Sequence, residues 1–131
     1  MPTLGPTSRE NLSLVDIRLR QIVLEAIYVT DFSVIEGHRS PERQEEMFQS
    51  GASKLRWPDS KHNSLPSKAM DLAPYPIDWH DLERFCVLKG VIFTIAHQHG
   101  VKLRWGGDWD RDERMADEGF RDYVHYEIWE D

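Results

Sequence analysis

The chain contains very little cysteine. Cys86 is the single cysteine among 131 residues, so the sequence excludes an internal disulfide and any zinc site built on thiolates. Cys86 falls in an apolar pattern of helical spacing with Leu82 and Phe85, where a free thiol behaves as a small hydrophobic side chain. We therefore predict a buried core thiol rather than a catalytic nucleophile.

Long apolar runs and a secretory leader are also missing. No stretch approaches the roughly 18 consecutive apolar residues of a membrane-spanning helix. The first ten residues show no basic segment followed by an apolar one, as a signal peptide would. We expect no membrane span, no signal peptide and a cytoplasmic protein. The absence of repeats and low-complexity linkers favours one domain over residues 1–131, with residues 1–7 as an extended lead-in.

Basic residues are in deficit. Lys and Arg number 16 against 23 Asp and Glu, a net charge of −7, and residues 108–131 hold ten acids and three bases, which accounts for all of it. This distribution argues against a nucleic-acid partner, which would need a basic face. The acids in segment 108–118 alternate, but they lack the glycine and spacing of an EF-hand loop, so a second cation there stays an open alternative.

Hydrophobic spacing and capping residues predict a mixed α+β fold with a small antiparallel sheet, because helices and strands do not alternate regularly. In chain order we predict a helix from Ser8 or Ser13 to Ile27, a strand over 32–36, a helix from Ser40 to Gly51, a strand over 69–73, a helix from Asp78 to His99, and strands over 101–105 and 123–129. Residues 52–76 form a long loop, and a loop of this length in a compact domain is typically functional.

Two distant motifs carry the candidate chemistry. His62 and Asp71 lie in the long loop, and Asp122, His125 and Glu127 lie near the C-terminal end. Two histidines and one carboxylate suit a zinc ion whose fourth position is open to water, the arrangement of a catalytic site. Zinc lowers the pKa of bound water to about 7, and Asp122 could accept its proton. Glu127 could orient a ligand histidine or be the base itself.

Four blocks of the sequence, in the same order, resemble the M15 peptidases, which are zinc enzymes that cut peptidoglycan peptides. The blocks are Gly37-His-Arg39-Ser-Pro-Glu-Arg-Gln44, then Ser60-Lys-His62 with Ala69-Met-Asp71-Leu72, then Trp105-Gly-Gly-Asp-Trp109, and finally Asp122-Tyr-Val-His125-Tyr-Glu127. The resemblance implies the fold shared by hedgehog domains and DD-peptidases. One departure is the spacing of nine residues from His62 to Asp71, which is longer than is usual in the family.

The resemblance also implies a role for each matching residue. His62, Asp71 and His125 become ligands of one zinc ion, and Asp122 becomes the catalytic carboxylate. Arg39 falls where the family has an arginine near the scissile carbonyl, a position from which a cation would stabilise the oxyanion. The remaining candidates are assigned to substrate binding: Ser60, which contacts substrate or orders the loop, Glu127, and Trp109, for which a core position is an equal alternative. Trp105 is expected in the core.

The function implied is a zinc peptidase acting on peptidoglycan stem peptides, most simply an L-alanyl-D-glutamate endopeptidase of the phage endolysin type. Such a protein would stay in the host cytoplasm until released to the cell wall, and we expect a monomer. Three alternatives remain. A D,D-carboxypeptidase or dipeptidase would use the same site on D-Ala-D-Ala, and a non-catalytic binding module would use zinc only for stability. The third is an acidic phage protein that binds a host partner and uses no metal.

Overall fold

A four-stranded sheet organises the molecule. A computed structural model of the protein describes residues 2–115 and 119–130. The helices and strands of these residues are α1 Pro6–Leu12, α2 Ile17–Ala26, β1 Phe32–Glu36, α3 Pro41–Gln49, β2 Ala69–Pro74, α4 Leu82–Gln98, β3 Leu103–Gly106 and β4 Asp122–Ile128. All strand pairs are antiparallel, in the order β1-β2-β4-β3, so the predicted α+β fold with a small antiparallel sheet is confirmed.

The core forms where α2 and α4 pack together and α4 packs on β2 and β3. Every residue of β2 is buried, because β1 and β4 pair with its two edges and α4 packs on the strand. Trp105 is also buried, as predicted. Cys86 is only half-buried: it packs at the edge of the core, where its sulfur lies 3.7 Å from the Met115 sulfur.

The N-terminal region differs from the prediction in two ways. Helix α1 begins at Pro6, inside the predicted lead-in, and the single helix predicted to run to Ile27 is two helices. The interruption lies at residues 13–16, where Ser67 receives a hydrogen bond from the Asp16 N–H and donates its own N–H to the Leu14 carbonyl, each 2.8 Å long. A long-range backbone contact therefore ends α1, and the Asp16 side chain caps α2.

The other helices follow their capping signals closely. The Ser40 hydroxyl accepts the Arg43 N–H at 3.1 Å and begins α3, as predicted. The cap of α4 is Asp81, however, and not Asp78. Asp78 instead accepts the His80 N–H at 3.0 Å in the turn before the helix. No helix in the described part of the chain is long and apolar enough to cross a membrane.

The sheet places the two halves of the predicted site side by side. In the register of β2 and β4, Asp71 lies directly opposite His125. Gly106 pairs with Asp122, and a Cβ atom on Gly106 would lie 2.0 Å from the Asp122 carbonyl oxygen. Because only glycine permits that approach, the Trp-Gly-Gly block fixes where β4 begins and where Asp122 is held.

Candidate metal centre and active site

Three predicted ligand residues converge at the centre of the sheet. His125 and Asp71 come from paired strands, and His62 reaches them from the long loop, whose backbone is anchored by a 2.8 Å hydrogen bond from the Arg39 N–H to the His62 carbonyl. The His62 Nε2 atom lies 3.0 Å from Asp71 Oδ1 and 3.2 Å from His125 Nδ1. His125 Nδ1 lies 3.5 Å from Asp71 Oδ1, and all three residues are buried.

In each imidazole, the nitrogen that points away from Asp71 (the far nitrogen) makes a hydrogen bond that decides whether the nitrogen facing Asp71 (the near nitrogen) carries hydrogen. His62 Nδ1 lies 2.7 Å from the Gly37 carbonyl oxygen, and His125 Nε2 lies 2.7 Å from Glu127 Oε1. Both partners can only accept, so both far nitrogens carry hydrogen. In the neutral rings the near nitrogens then present lone pairs to the Asp71 oxygen. Three buried acceptors that face one another require a cation between them, either a proton or a metal ion.

Without a metal ion, the pKa values of the site residues also indicate that positive charge is stabilised here. Burial would lower the pKa of His125, but hydrogen bonds with Asp71 and Glu127 outweigh it and raise this pKa to about 9. Burial would raise the pKa of Asp71, but the charge of His62 and the hydrogen bond from His125 hold it far below its usual range. Burial would likewise raise the pKa of Glu127, but its bond with His125 lowers it to about 2.

A cavity of about 370 Å³ opens beside this centre. Its wall includes all the remaining predicted site residues: Arg39, Ser60, Trp109, Asp122 and Glu127. Burial, followed by the charge of Asp71, raises the pKa of Asp122 to about 6. A carboxylate with a pKa near neutrality can both accept and donate a proton at working pH, which is the requirement for a general acid–base group.

Arg39 is buried and holds an unexpected position. One terminal nitrogen lies 2.7 Å from Glu36 Oε1 and 3.5 Å from Asp71 Oδ2, and the other donates to Gln44 Oε1 at 3.0 Å. The guanidinium therefore lies behind the carboxylate whose other oxygen faces the histidines. It fixes the orientation of Asp71 while remaining part of the cavity wall.

Comparison with known proteins identifies the family. The family model for phage L-alanyl-D-glutamate peptidases matches residues 2–129. The chain belongs to the phage L-alanyl-D-glutamate peptidase family. It is 32% identical over 132 residues to the L-alanyl-D-glutamate peptidase of Escherichia phage T5, covering 95% of this chain and 96% of the relative. The crystal structure of the Serratia marcescens L-Ala D-Glu endopeptidase ChiX matches 98% of this chain and 91% of its own, with 26% identity and a TM-score of 0.77.

Membership in this peptidase family confirms the resemblance and the enzyme class predicted from the motifs. The phage peptidase fold brings together every predicted site residue, and Glu127 contacts the His125 ring from behind, as expected if it orients this predicted ligand. The Ser60 hydroxyl accepts the His62 N–H at 3.2 Å, which favours the role in ordering the loop. The Trp109 ring lies 5.2 Å from the His125 ring between centroids, on the cavity wall. The catalytic and binding roles of these residues stay predictions.

Sequence reasoning missed the residues that support this peptidase site. Gln44, which is fully buried, accepts from Arg39 and from the Asn63 side chain. Lys61 and Arg104 lie 3.5 and 2.9 Å from Glu127 Oε2 and balance its charge. Gln44 is the last residue of the first family block, so the motif could have identified it as a site residue. The contacts of the two bases depend on tertiary packing that no local pattern shows.

The acidic segment forms a tight turn around Asp108. The carboxylates of Asp108, Asp110 and Asp112 offer oxygens that lie within 4.8 Å of one another. Asp108 accepts the backbone N–H groups of Asp112 and Glu113 at 3.2 and 2.8 Å, and these hydrogen bonds stabilise the turn. Residues 116–118 of the predicted segment 108–118 lie outside the described residues.

Because the pKa of His125 is raised, we expect the free energy of unfolding of the metal-free protein to depend on pH. Its pKa in the folded state, about 9, lies above the ordinary 6.5, so its contribution is complete below pH 6.5 and is lost as the pH rises through 9. We expect the free energy of unfolding to fall by on the order of 1–3 kcal/mol across that window. Thermal unfolding of chelator-treated protein measures this. Zinc-loaded protein is the control, because a bound cation replaces the proton; an equal fall in both samples would contradict the assignment.

Proposed function

We propose that this chain is a zinc-dependent peptidase that hydrolyses the bond between L-alanine and D-glutamate in peptidoglycan stem peptides, as a cell-wall-degrading endolysin. The main support for the proposal is that acceptor atoms of His62, Asp71 and His125, all buried, converge on one point. Hydrogen bonds to the Gly37 carbonyl and to Glu127 set the tautomers of the two histidine rings. The family and both relatives support the choice of bond.

The donor set fits zinc. Ligand atoms about 2.0 Å from a tetrahedral ion lie roughly 3.3 Å apart, and the three observed separations are 3.0, 3.2 and 3.5 Å. Two imidazole nitrogens and one carboxylate oxygen leave a fourth position open, as in catalytic zinc sites. When bound, a zinc ion would supply a Lewis acid that polarises the scissile carbonyl and makes water a better nucleophile.

Asp122 performs the proton transfers in this proposal. It lines the cavity beside the three converging residues without being one of them, a position from which it takes the proton of the attacking water and delivers it to the leaving amine. Water adds to the carbonyl carbon, the C–N bond breaks, and the amine leaves with the proton that Asp122 held. Arg39, behind Asp71, contributes a buried positive charge to the cavity wall, and its proposed role is to stabilise the carbonyl oxygen as this oxygen becomes negative.

The other residues position these groups. Glu127 holds the His125 ring through a 2.7 Å hydrogen bond and is itself held by Arg104 at 2.9 Å, an arrangement that fixes the tautomer and raises the basicity of a ligand histidine. Ser60 orders the loop that carries His62. Trp109, beside His125, forms the apolar wall along which a peptide would lie.

The test combines metal analysis with a wall digest. Protein purified without added metal, stripped with chelator and reloaded with zinc should hold about one zinc ion per chain, and it should cut peptidoglycan only when loaded. The new amino terminus in the digest should be D-glutamate. Release of free D-alanine would instead support the D,D-carboxypeptidase, and zinc binding with no new terminus from any wall would support the non-catalytic module.

A further inference from the structure

We infer that Lys54 is a specificity residue that binds the free carboxylate of the glutamate on the leaving side of the scissile bond. The inference rests on the proposed function and deepens it, since it names the chemical group that the cavity selects. The cavity wall is rich in basic side chains, which is unusual for a chain whose net charge is −7.

Four bases line the cavity, and three of them are already paired with carboxylates. Arg39 contacts Glu36 at 2.7 Å, Arg104 contacts Glu127 at 2.9 Å, and Lys61 lies 3.5 Å from the same Glu127 side chain. Lys54 is different. Within residues 2–115 and 119–130, no carboxylate pairs with its ammonium group, which lies over the Phe120 ring at 5.2 Å from the centroid. Among the described residues, Lys54 is thus the one base on this wall that no carboxylate pairs with, and its ammonium group is placed to meet a ligand.

A continuous aromatic wall connects Lys54 to the metal centre. The Phe120 ring stacks on Trp109 with centroids 6.2 Å apart, and the Trp109 ring lies 5.2 Å from the His125 ring. All four residues line one cavity of about 370 Å³, which is the size of a site for a small ligand. A peptide lying against this wall with its scissile bond at His125 extends toward the ammonium group of Lys54.

The position of Asp122 decides which end of the peptide lies there. Phe120 precedes Asp122 by two residues, and both side chains line the cavity. Because Asp122 gives its proton to the leaving amine, the residue that carries this amine, the glutamate, lies on the side of Phe120 and Lys54. Glutamate has two carboxyl groups and at most one continues the chain. The other is a free anion a few bonds from the scissile bond, unless the wall is amidated.

The experiment uses two synthetic peptides that differ only in this group: one has the free glutamate carboxylate and the other has a carboxamide. Wild-type zinc-loaded protein should prefer the carboxylate peptide. Lys54→Met should lower kcat/KM for that peptide by roughly tenfold, mainly through KM, because it removes an attraction of bound substrate and transition state alike. The carboxamide peptide should change by no more than about twofold, and Lys54→Arg should keep the preference.

Lys89→Met is the matched control. The Lys89 ammonium also lies over a phenylalanine, 4.3 Å from the Phe93 centroid, but it lines a different cavity, so its loss should alter neither peptide. If Lys54→Met leaves both peptides unchanged or lowers both equally, the inference is wrong while the proposed function stands. If the wild-type protein cuts neither peptide, the proposed function itself fails.

Discussion

Asp122→Asn is expected to lower kcat by about 10²- to 10⁴-fold, the usual contribution of a general acid–base group, while zinc content and fold are kept. The amide has the same shape but cannot accept the proton of water. In the structure Asp122 is not one of the three converging ligands, so the metal centre should be unaffected. Single-turnover kinetics on a wall-derived peptide, with metal analysis of the same sample, measures both effects.

Two comparisons make this result specific to Asp122. Glu42→Gln removes an exposed carboxylate in the first turn of α3 and should retain full activity. Asp122→Glu restores a carboxylate and should recover part of the rate. Undiminished cutting by Asp122→Asn would remove this residue from the mechanism and leave Glu127 as the carboxylate to examine as the base.

His62→Ala is expected to abolish both zinc binding and peptidase activity. It removes one of the three predicted ligand atoms and also leaves the Gly37 carbonyl without its 2.7 Å partner. Zinc at about 100 times its Kd should stabilise wild-type protein by about 2.7 kcal/mol, and this gain should vanish in the variant. Thermal unfolding with and without zinc, beside metal analysis, measures the difference.

His80→Ala provides the control for His62→Ala, because His80 is an exposed histidine in the turn before α4. This variant should bind zinc and unfold as the wild type does. If zinc stabilised His62→Ala as much as the wild type, the ion would be bound elsewhere, and the carboxylate cluster at Asp108 would be the first place to look.

The convergence of His62, Asp71 and His125 was predictable because the signals of the two motifs are local. Residue types at short spacing defined each motif, and strand periodicity placed His125 and Glu127 on one face. The helix break at residues 13–16 was not predictable, because the backbone of Ser67, more than fifty positions away, competes for its hydrogen bonds. The cap of α4 was misplaced for a different reason: Asp78 and Asp81 both offer capping oxygens three residues apart.

The residues of the cavity wall were likewise only partly predictable from the sequence. Arg39 was found through its block, but its contact with Asp71 depends on the pairing of β1 with β2, which places Glu36 opposite Asp71. Lys54 and Phe120 lie in segments without periodicity, and only the folded chain brings the ammonium group over the ring. Side-chain chemistry could therefore be predicted from sequence, whereas the partners of each side chain depended on tertiary structure.

The place of β4 in the sheet has a consequence for the order of assembly during synthesis. β4 follows every other strand in the chain, yet it lies in the interior of the sheet, between β2 and β3. A nascent chain that ends at β3 holds His62 and Asp71 but lacks His125 and Asp122, and it also lacks β4, the one strand that pairs with β3 in the described residues. Insertion of β4 thus completes both the sheet and the predicted metal centre, so we expect a partly made chain to be inactive.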